Sequence, residues 1–238
     1  MPRALPVTGA ALAALGVSAV AMSAILAASS ELGPVATAFW RMALGAPLCL
    51  AITLSVSGAG EIGRLMRLMR RPCIWVAAGG FAATLMLWYS GQRLSSVATT
   101  SALQSLSPLM LILGLTVLWR QPAPAATCMG AALAALGAAM LALHSGGVGS
   151  RALEGDALAF IGAATLAAYY ATMSHASRDA PAWSVLTAIC LIAAPLLLVA
   201  ALLTEPRLTP RSAQSWTHLG LLALVDQGIG QACLAQAS

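Results

Sequence analysis

Two charged residues lie inside apolar stretches of this chain. Arg41 falls seven residues into the window Pro34–Ser57, and Asp226 falls seven residues into the window Leu219–Ala237. An ionised side chain within hydrocarbon is costly, so such residues pair, face a watery cavity or carry function. Both windows read as starting on the same side, so each charge lies roughly 10 Å below that surface at about 1.5 Å per residue. Charges at matched depth are able to pair or to share an aqueous cavity. Two plainer readings stand beside this one: Arg41 snorkels to the interface, or Asp226 marks a helix start whose span begins later.

A second group lies between residues 95 and 118, where Thr99, Thr100, Ser101, Gln104, Ser105 and Ser107 precede Pro108. Thr100, Gln104 and Ser107 stand at i, i+4 and i+7 and share one helical face. Pro108 frees the carbonyl near residue 104 and bends the helix. Hydroxyls and broken backbone at that depth suit a cavity for a small solute; hydrogen bonding between helices explains the hydroxyls equally well. Tyr169 and Tyr170 lie deep enough to stack on a ligand, and Gln227 and Gln231 accompany Asp226. Trp40, Trp88, Tyr89, Trp183 and Trp216 fall near predicted helix ends, where interfacial anchoring is the favoured reading. The candidate binding set is Arg41, Tyr89, Thr100, Gln104, Ser107, Tyr170, Asp226 and Gln231.

Catalytic chemistry finds little footing. His144, His175 and His218 sit at helix ends without metal-ligand spacing. Cys49, Cys73, Cys128, Cys190 and Cys233 lie far apart in or beside apolar runs and read as small hydrophobes. Gly146-Gly147-Val148-Gly149 has no strand before it and no lysine after it, so it reads as a loop. No enzyme activity, metal or cofactor is expected.

The elements that must position these residues follow from composition. Of the 238 residues, 60% are hydrophobic and 8% charged, and the mean hydropathy is +0.87. A soluble domain averages about 25% charged residues, so lipid must be the solvent for much of this chain. Eight apolar windows of spanning length are read: Val7–Ala28, Pro34–Ser57, Cys73–Gln92, Ser95–Leu118, Ala125–Leu143, Asp156–Met173, Trp183–Leu203 and Leu219–Ala237. The first is too long for an ordinary signal core, and is read as retained.

The net charge of +5 comes from 12 arginines, with no lysine, against seven acids. They lie between apolar runs rather than on a basic face with stacking aromatics, so nucleic acid is not an expected partner. Placing Arg64, Arg67, Arg70 and Arg71 in the cytoplasm brings Arg3, Arg120 and Arg178 to the same side and both termini inside. The segment from Gly60 to Pro72 reads as a topology anchor, with a short amphipathic helix on anionic lipid as the alternative.

An internal repeat is visible. Residues 9–16 align with residues 155–162 at an offset of 146, with paired glycines, and Pro34-Val35 meets Pro181-Ala182 with one insertion. Five windows separate the two starts, an odd number, so the second copy is inverted in the membrane. Inverted repeats of this kind build alternating-access carriers around a midplane site. The halves are read as 1–146 and 147–238, with five and three helices. By the repeat, two further helices are expected, and the chain reads as truncated before them. The small-residue stripes Gly9/Ala13/Gly16, Gly130/Ala134/Gly137 and Gly155/Ala159/Gly162 read as close helix packing.

The run from Glu31 to Arg41 (ELGPVATAFWR), Ser95-Ser96-Val97-Ala98-Thr99-Thr100 and Ser107-Pro108-Leu109 resemble the EamA domain of the drug/metabolite transporter superfamily. Gly130–Gly137 and the restart at Gly155-Asp156-Ala157-Leu158-Ala159 are similar to that domain's end and the next copy's beginning. The resemblance covers essentially the whole chain. It implies an all-α polytopic bundle in the inner membrane and a carrier that exports small organic solutes such as amino acids, metabolites or drugs. The expected partners are a small-molecule substrate and the lipid bilayer; a homo-oligomer stays open. Many members carry a glutamate where this chain has Trp119-Arg120-Gln121. The runner-up reading is a truncated, non-transporting membrane scaffold or subunit.

Overall fold

The computed structural model describes residues 7–58, 60–119, 125–145, 151–176 and 180–230. Among them the regular structure is entirely helical: α1 (Val7–Ala28), α2 (Pro34–Ser57), α3 (Glu61–Met69), α4 (Pro72–Leu94), α5 (Val97–Gln104), α6 (Ser107–Trp119), α7 (Ala125–Ser145), α8 (Ala152–Ala176), α9 (Ala182–Thr204) and α10 (Ala213–Leu222). The last passes directly into a π-helical segment, Ala223–Gly230. Apolar runs become helices here because lipid offers no partner for backbone N–H and C=O groups, and a helix satisfies them internally.

Five helical stretches among the described residues are long and apolar enough to cross a bilayer: Pro34–Ser57, Pro72–Leu94, Val97–Gly114, Ala152–Ala176 and Ala182–Thr204. They make the chain a polytopic membrane bundle. Proline opens α2 and α4 at a position whose N–H would have no helical partner.

Two expected elements differ, and the arginine-rich segment takes the helical form given as its alternative. The window 95–118 is not one bent helix: it breaks between α5 and α6, at Ser105-Leu106, with Pro108 as the second residue of α6. Ser96 caps α5, its Oγ accepting from the Thr99 N–H at 3.0 Å. The last helix starts at Ala213 rather than Leu219, because the Ser212 Oγ caps it by accepting from the Ser215 N–H at 3.1 Å. Asp226 therefore lies thirteen residues in rather than seven, although its ion pair with Arg41 still holds the two charges at one level. The arginine-rich loop forms the helix α3, with Leu65 and Leu68 buried and Ile62 and Met66 exposed.

Two helix backbones come close where small residues meet. A Cβ on Gly91 of α4 would lie 2.7 Å from the Gly155 carbonyl oxygen of α8, and one on Gly155 would lie 2.8 Å from that of Gly91. The stripe through Gly155 thus packs as expected, whereas Gly130 and Gly137 on α7 have nothing within 4 Å among the described residues. Thr84 and Thr165 join α4 to α8 through hydroxyls 2.8 Å apart. Thr53 and Thr187 join α2 to α9 at 2.9 Å.

One end of the bundle is fastened by polar contacts. The Glu205 carboxylate, just after α9, accepts from the Val35 and Ala36 N–H groups at 2.6 and 3.1 Å and caps α2. Arg93 donates to the Ser30 carbonyl at 2.8 Å and to that of Leu32 at 2.5 Å. Trp40 donates to the Leu208 carbonyl at 2.5 Å and meets Trp216 edge-on, with ring centroids 4.7 Å apart. At the other end, the Ser184 hydroxyl of α9 donates to the buried Glu61 carboxylate of α3 at 2.6 Å.

Candidate functional site

On α4, Phe81, Thr84, Leu85 and Trp88 recur at three- and four-residue spacing and so share one face. That face looks onto Arg41 of α2, and together they wall a cavity of about 480 Å³. The volume lies within the range of small-molecule sites. Val20, Ala21 and Ala24 of α1 contribute another wall, Leu166 and Tyr170 of α8 a third, and the α5–α6 break a fourth.

Arg41 is the centre of the polar structure. Its guanidinium forms an ion pair with Asp226, donates to the Tyr89 hydroxyl at 2.8 Å and lies 5.7 Å from the Phe81 ring centroid. Phe81 in turn stacks on Tyr169 with centroids 4.6 Å apart. A buried guanidinium is tolerable only when its charge is met; here a carboxylate balances the charge, a phenol takes a second hydrogen bond and a ring face lies close by. Gly45 allows this approach, because a Cβ there would fall 2.9 Å from the Gln227 side chain, next to Asp226. The wider turns of the π segment, with Gly228 close to Leu48 and Gly230 close to Val20, seat this stretch against α2 and α1.

The candidate residues divide. Arg41, Gln104, Ser107 and Tyr170 line the cavity. Tyr89 and Asp226 are buried behind it, holding Arg41. Thr100 turns away, its hydroxyl donating to the Ser96 and Val97 carbonyls at 2.9 and 3.2 Å. Gln231 lies outside the described residues. The cavity face of α5 is the neighbouring one, Ser101, Gln104 and Ser105, continuing to Ser107 and Pro108 of α6.

Eleven of the fifteen lining residues lie outside the candidate set, among them Phe81, Thr84, Trp88 and Ser101. Their signal was the 81, 84, 88 spacing on α4 and the 101, 104, 108 spacing after it. Trp88 and Tyr89 are not interfacial anchors; both are buried, because α4 continues beyond them to Leu94 and packs on α2 and α8. Polar atoms without a hydrogen-bond partner cluster here: Trp88 Nε1, Ser101 Oγ, Gln104 Oε1, Arg41 Nε and Asp226 Oδ1. Among the described residues, no group of three or more His, Cys, Asp or Glu side chains is placed to hold a metal ion.

The family model described as the EamA-like transporter family matches residues 6–143 and again residues 153–238. No curated protein matches the chain. A solved structure titled "Crystal structure of protein" is 19% identical, with a TM-score of 0.71 over 95% of this chain and 78% of that one. At that identity the likeness is one of fold.

Proposed function

The chain belongs to the EamA-like transporter family, and from that membership we propose that it exports a small organic solute by alternating access, with the cavity beside Arg41 as its solute site. One observation carries the proposal: the cavity of about 480 Å³ lies between helices of both matched segments, with apolar walls, a charged pair at its edge and a helix break beside it. Broken helices at membrane depth are tolerated where they line a cavity.

The two segments, 1–146 and 147–238, act as inverted halves in this reading. The family model's two matches and the sequence repeat support it. The arginine distribution supports an inner-membrane protein with a cytoplasmic N-terminus. On that orientation the contacts of Glu205, Arg93 and Trp40 fasten the outer end, and those of Glu61 and Ser184 the inner one.

The test is flux in proteoliposomes. The full chain, loaded with labelled small solutes, is compared with Ala24→Leu, which fills the cavity from α1. Saturable counterflow that Ala24→Leu abolishes is the expected result. Counterflow unchanged by it would remove this cavity from the pathway. The absence of counterflow with every solute would favour a membrane scaffold.

A further inference from the structure

We infer that the cavity takes an uncharged amphipathic solute, one with an apolar, preferably planar body and a polar end that both donates and accepts hydrogen bonds, as an amide or lactam does. This rests on reading the cavity as the solute site.

Among the described residues, the ionisable side chains lining the cavity are Arg41 and Tyr170. The Arg41 charge is already met by Asp226, whose side chain has 0% exposure. An entering carboxylate finds no unbalanced cation, and an entering ammonium finds no unbalanced acid. Moving an ionised group from water to such a place is costly unless a partner waits there. A neutral solute avoids that penalty.

The hydrogen-bonding atoms define the polar end. Trp88 Nε1 and Arg41 Nε are donors, Gln104 Oε1 is an acceptor, and Ser101 Oγ is either; none has a partner. Buried polar atoms in folded proteins are nearly always satisfied, so a set without partners, all in residues that line this one cavity, marks where a ligand's own polar group belongs. A carbonyl beside an N–H or O–H answers both kinds. Leu85, Leu166 and Val20, with the rings of Phe81 and Tyr170, leave the rest of the volume to an apolar body.

Four phenylalanine derivatives share one ring and differ in charge: N-acetylphenylalaninamide is neutral, phenylalanine zwitterionic, N-acetylphenylalanine anionic, and phenylalaninamide cationic below its amine pKa, at about pH 6. Equilibrium binding of each labelled compound to the purified full chain is measured by scintillation proximity. The neutral compound is expected to bind about 10-fold more tightly than any charged relative. Ser101→Ala and Gln104→Leu should each weaken it by about 3- to 10-fold, and Ala24→Leu should abolish it. The wild-type series needs no variant to fold, so its ranking stands alone. A charged relative that binds as tightly, and is lost with Ala24→Leu, overturns the inference and leaves the site intact. Neutral binding indifferent to all three variants places the site elsewhere and overturns the reading beneath it. Binding of none of the four overturns both.

Discussion

Arg41 and Asp226 form an ion pair across 185 positions of sequence, with the two side chains 3% and 0% exposed. A pair this buried is bound to its own completeness. Removing one partner leaves an uncompensated charge, which typically costs about 3–5 kcal/mol, whereas replacing both with apolar groups is often close to neutral. Arg41→Met and Asp226→Leu are each expected to lower the thermal midpoint in detergent sharply, and the double variant to recover most of the loss. If the double variant is as unstable as the sum of the singles, the two residues do not form a unit.

Asp226→Asn keeps the shape of the pair and removes its negative charge. In flux measurements on the full chain across a range of pH, a loss of transport or a changed pH profile is expected, because Arg41 is then left without its counter-charge. Wild-type flux with an unaltered profile would take Asp226 out of the transport step.

Glu31 carries a pH dependence of known sign. Its carboxylate accepts from the Ser212 hydroxyl and from the Arg211 N–H at 3.3 Å. The Ser212 hydrogen bond, more than any other contact, holds its pKa below the ordinary value of 4.5. A carboxyl lowered in the folded state stabilises above its unfolded pKa and loses that contribution as pH falls through the folded one. Thermal midpoints of wild type and Glu31→Gln should therefore differ near neutrality and converge in acid. A constant gap down to pH values below the carboxyl range would show that this linkage is absent.

Much of this was legible in the sequence because lipid makes apolar length decisive. The end of α1 and both boundaries of α2 follow their windows to the residue, since Glu31-Leu32-Gly33-Pro34 leaves no other place for the turn between them. The meeting of Arg41 and Asp226 was one of several open readings, and the count of residues from the helix start was wrong: the Ser212 cap that starts α10 early leaves no trace in hydropathy. The cavity face of α5 was misplaced by one residue, about 100° of helix. Thr100 and Ser101 are equally polar in sequence, and only the break before Ser107 determines which of them faces the space. Trp88 was hidden because an aromatic near a predicted helix end looks the same whether it anchors in the interface or turns inward.

Glu205 and Gly33 are coupled by space rather than by conformation. Gly33 has φ of −64° and ψ of 167°, a backbone that any residue adopts, yet a Cβ there would lie 2.3 Å from the Glu205 carboxyl carbon. Gly33→Ala should therefore displace the cap of α2. Losing a cap costs about 0.5–2 kcal/mol, and Glu205→Ala alone should cost that much. In the Glu205→Ala background the Gly33→Ala change should be nearly silent. Additive losses in this double-mutant cycle would mean that Gly33 is needed for some reason other than the carboxylate.

Gly155 gives the sharpest steric test of the α4–α8 crossing that sets one cavity wall. A Cβ at this position would lie 2.8 Å from the Gly91 carbonyl oxygen, 2.8 Å from the Ser95 nitrogen and 2.9 Å from Leu94 Cβ. Backbone atoms hold two of these three places, so no side-chain rotation relieves the clash and the helices must separate. Gly80 lies on the same two-helix contact, but a Cβ there would be 3.9 Å from the Thr165 carbonyl oxygen, an ordinary contact. Overpacking typically costs about 1–3 kcal/mol, whereas glycine to alanine in an unobstructed helix gains up to about 1 kcal/mol. Gly155→Ala should lower the thermal midpoint, and Gly80→Ala should leave it unchanged or raise it. Separation at Gly155 would also weaken the Ser95 hydrogen bond to Asp156, now 2.6 Å, and shift α8 with Leu166 and Tyr170 against the opposite wall. The expected outcome is thus a combined loss of stability and of solute binding for Gly155→Ala, with both retained in Gly80→Ala. Equal behaviour of the two variants would contradict the crossing as described.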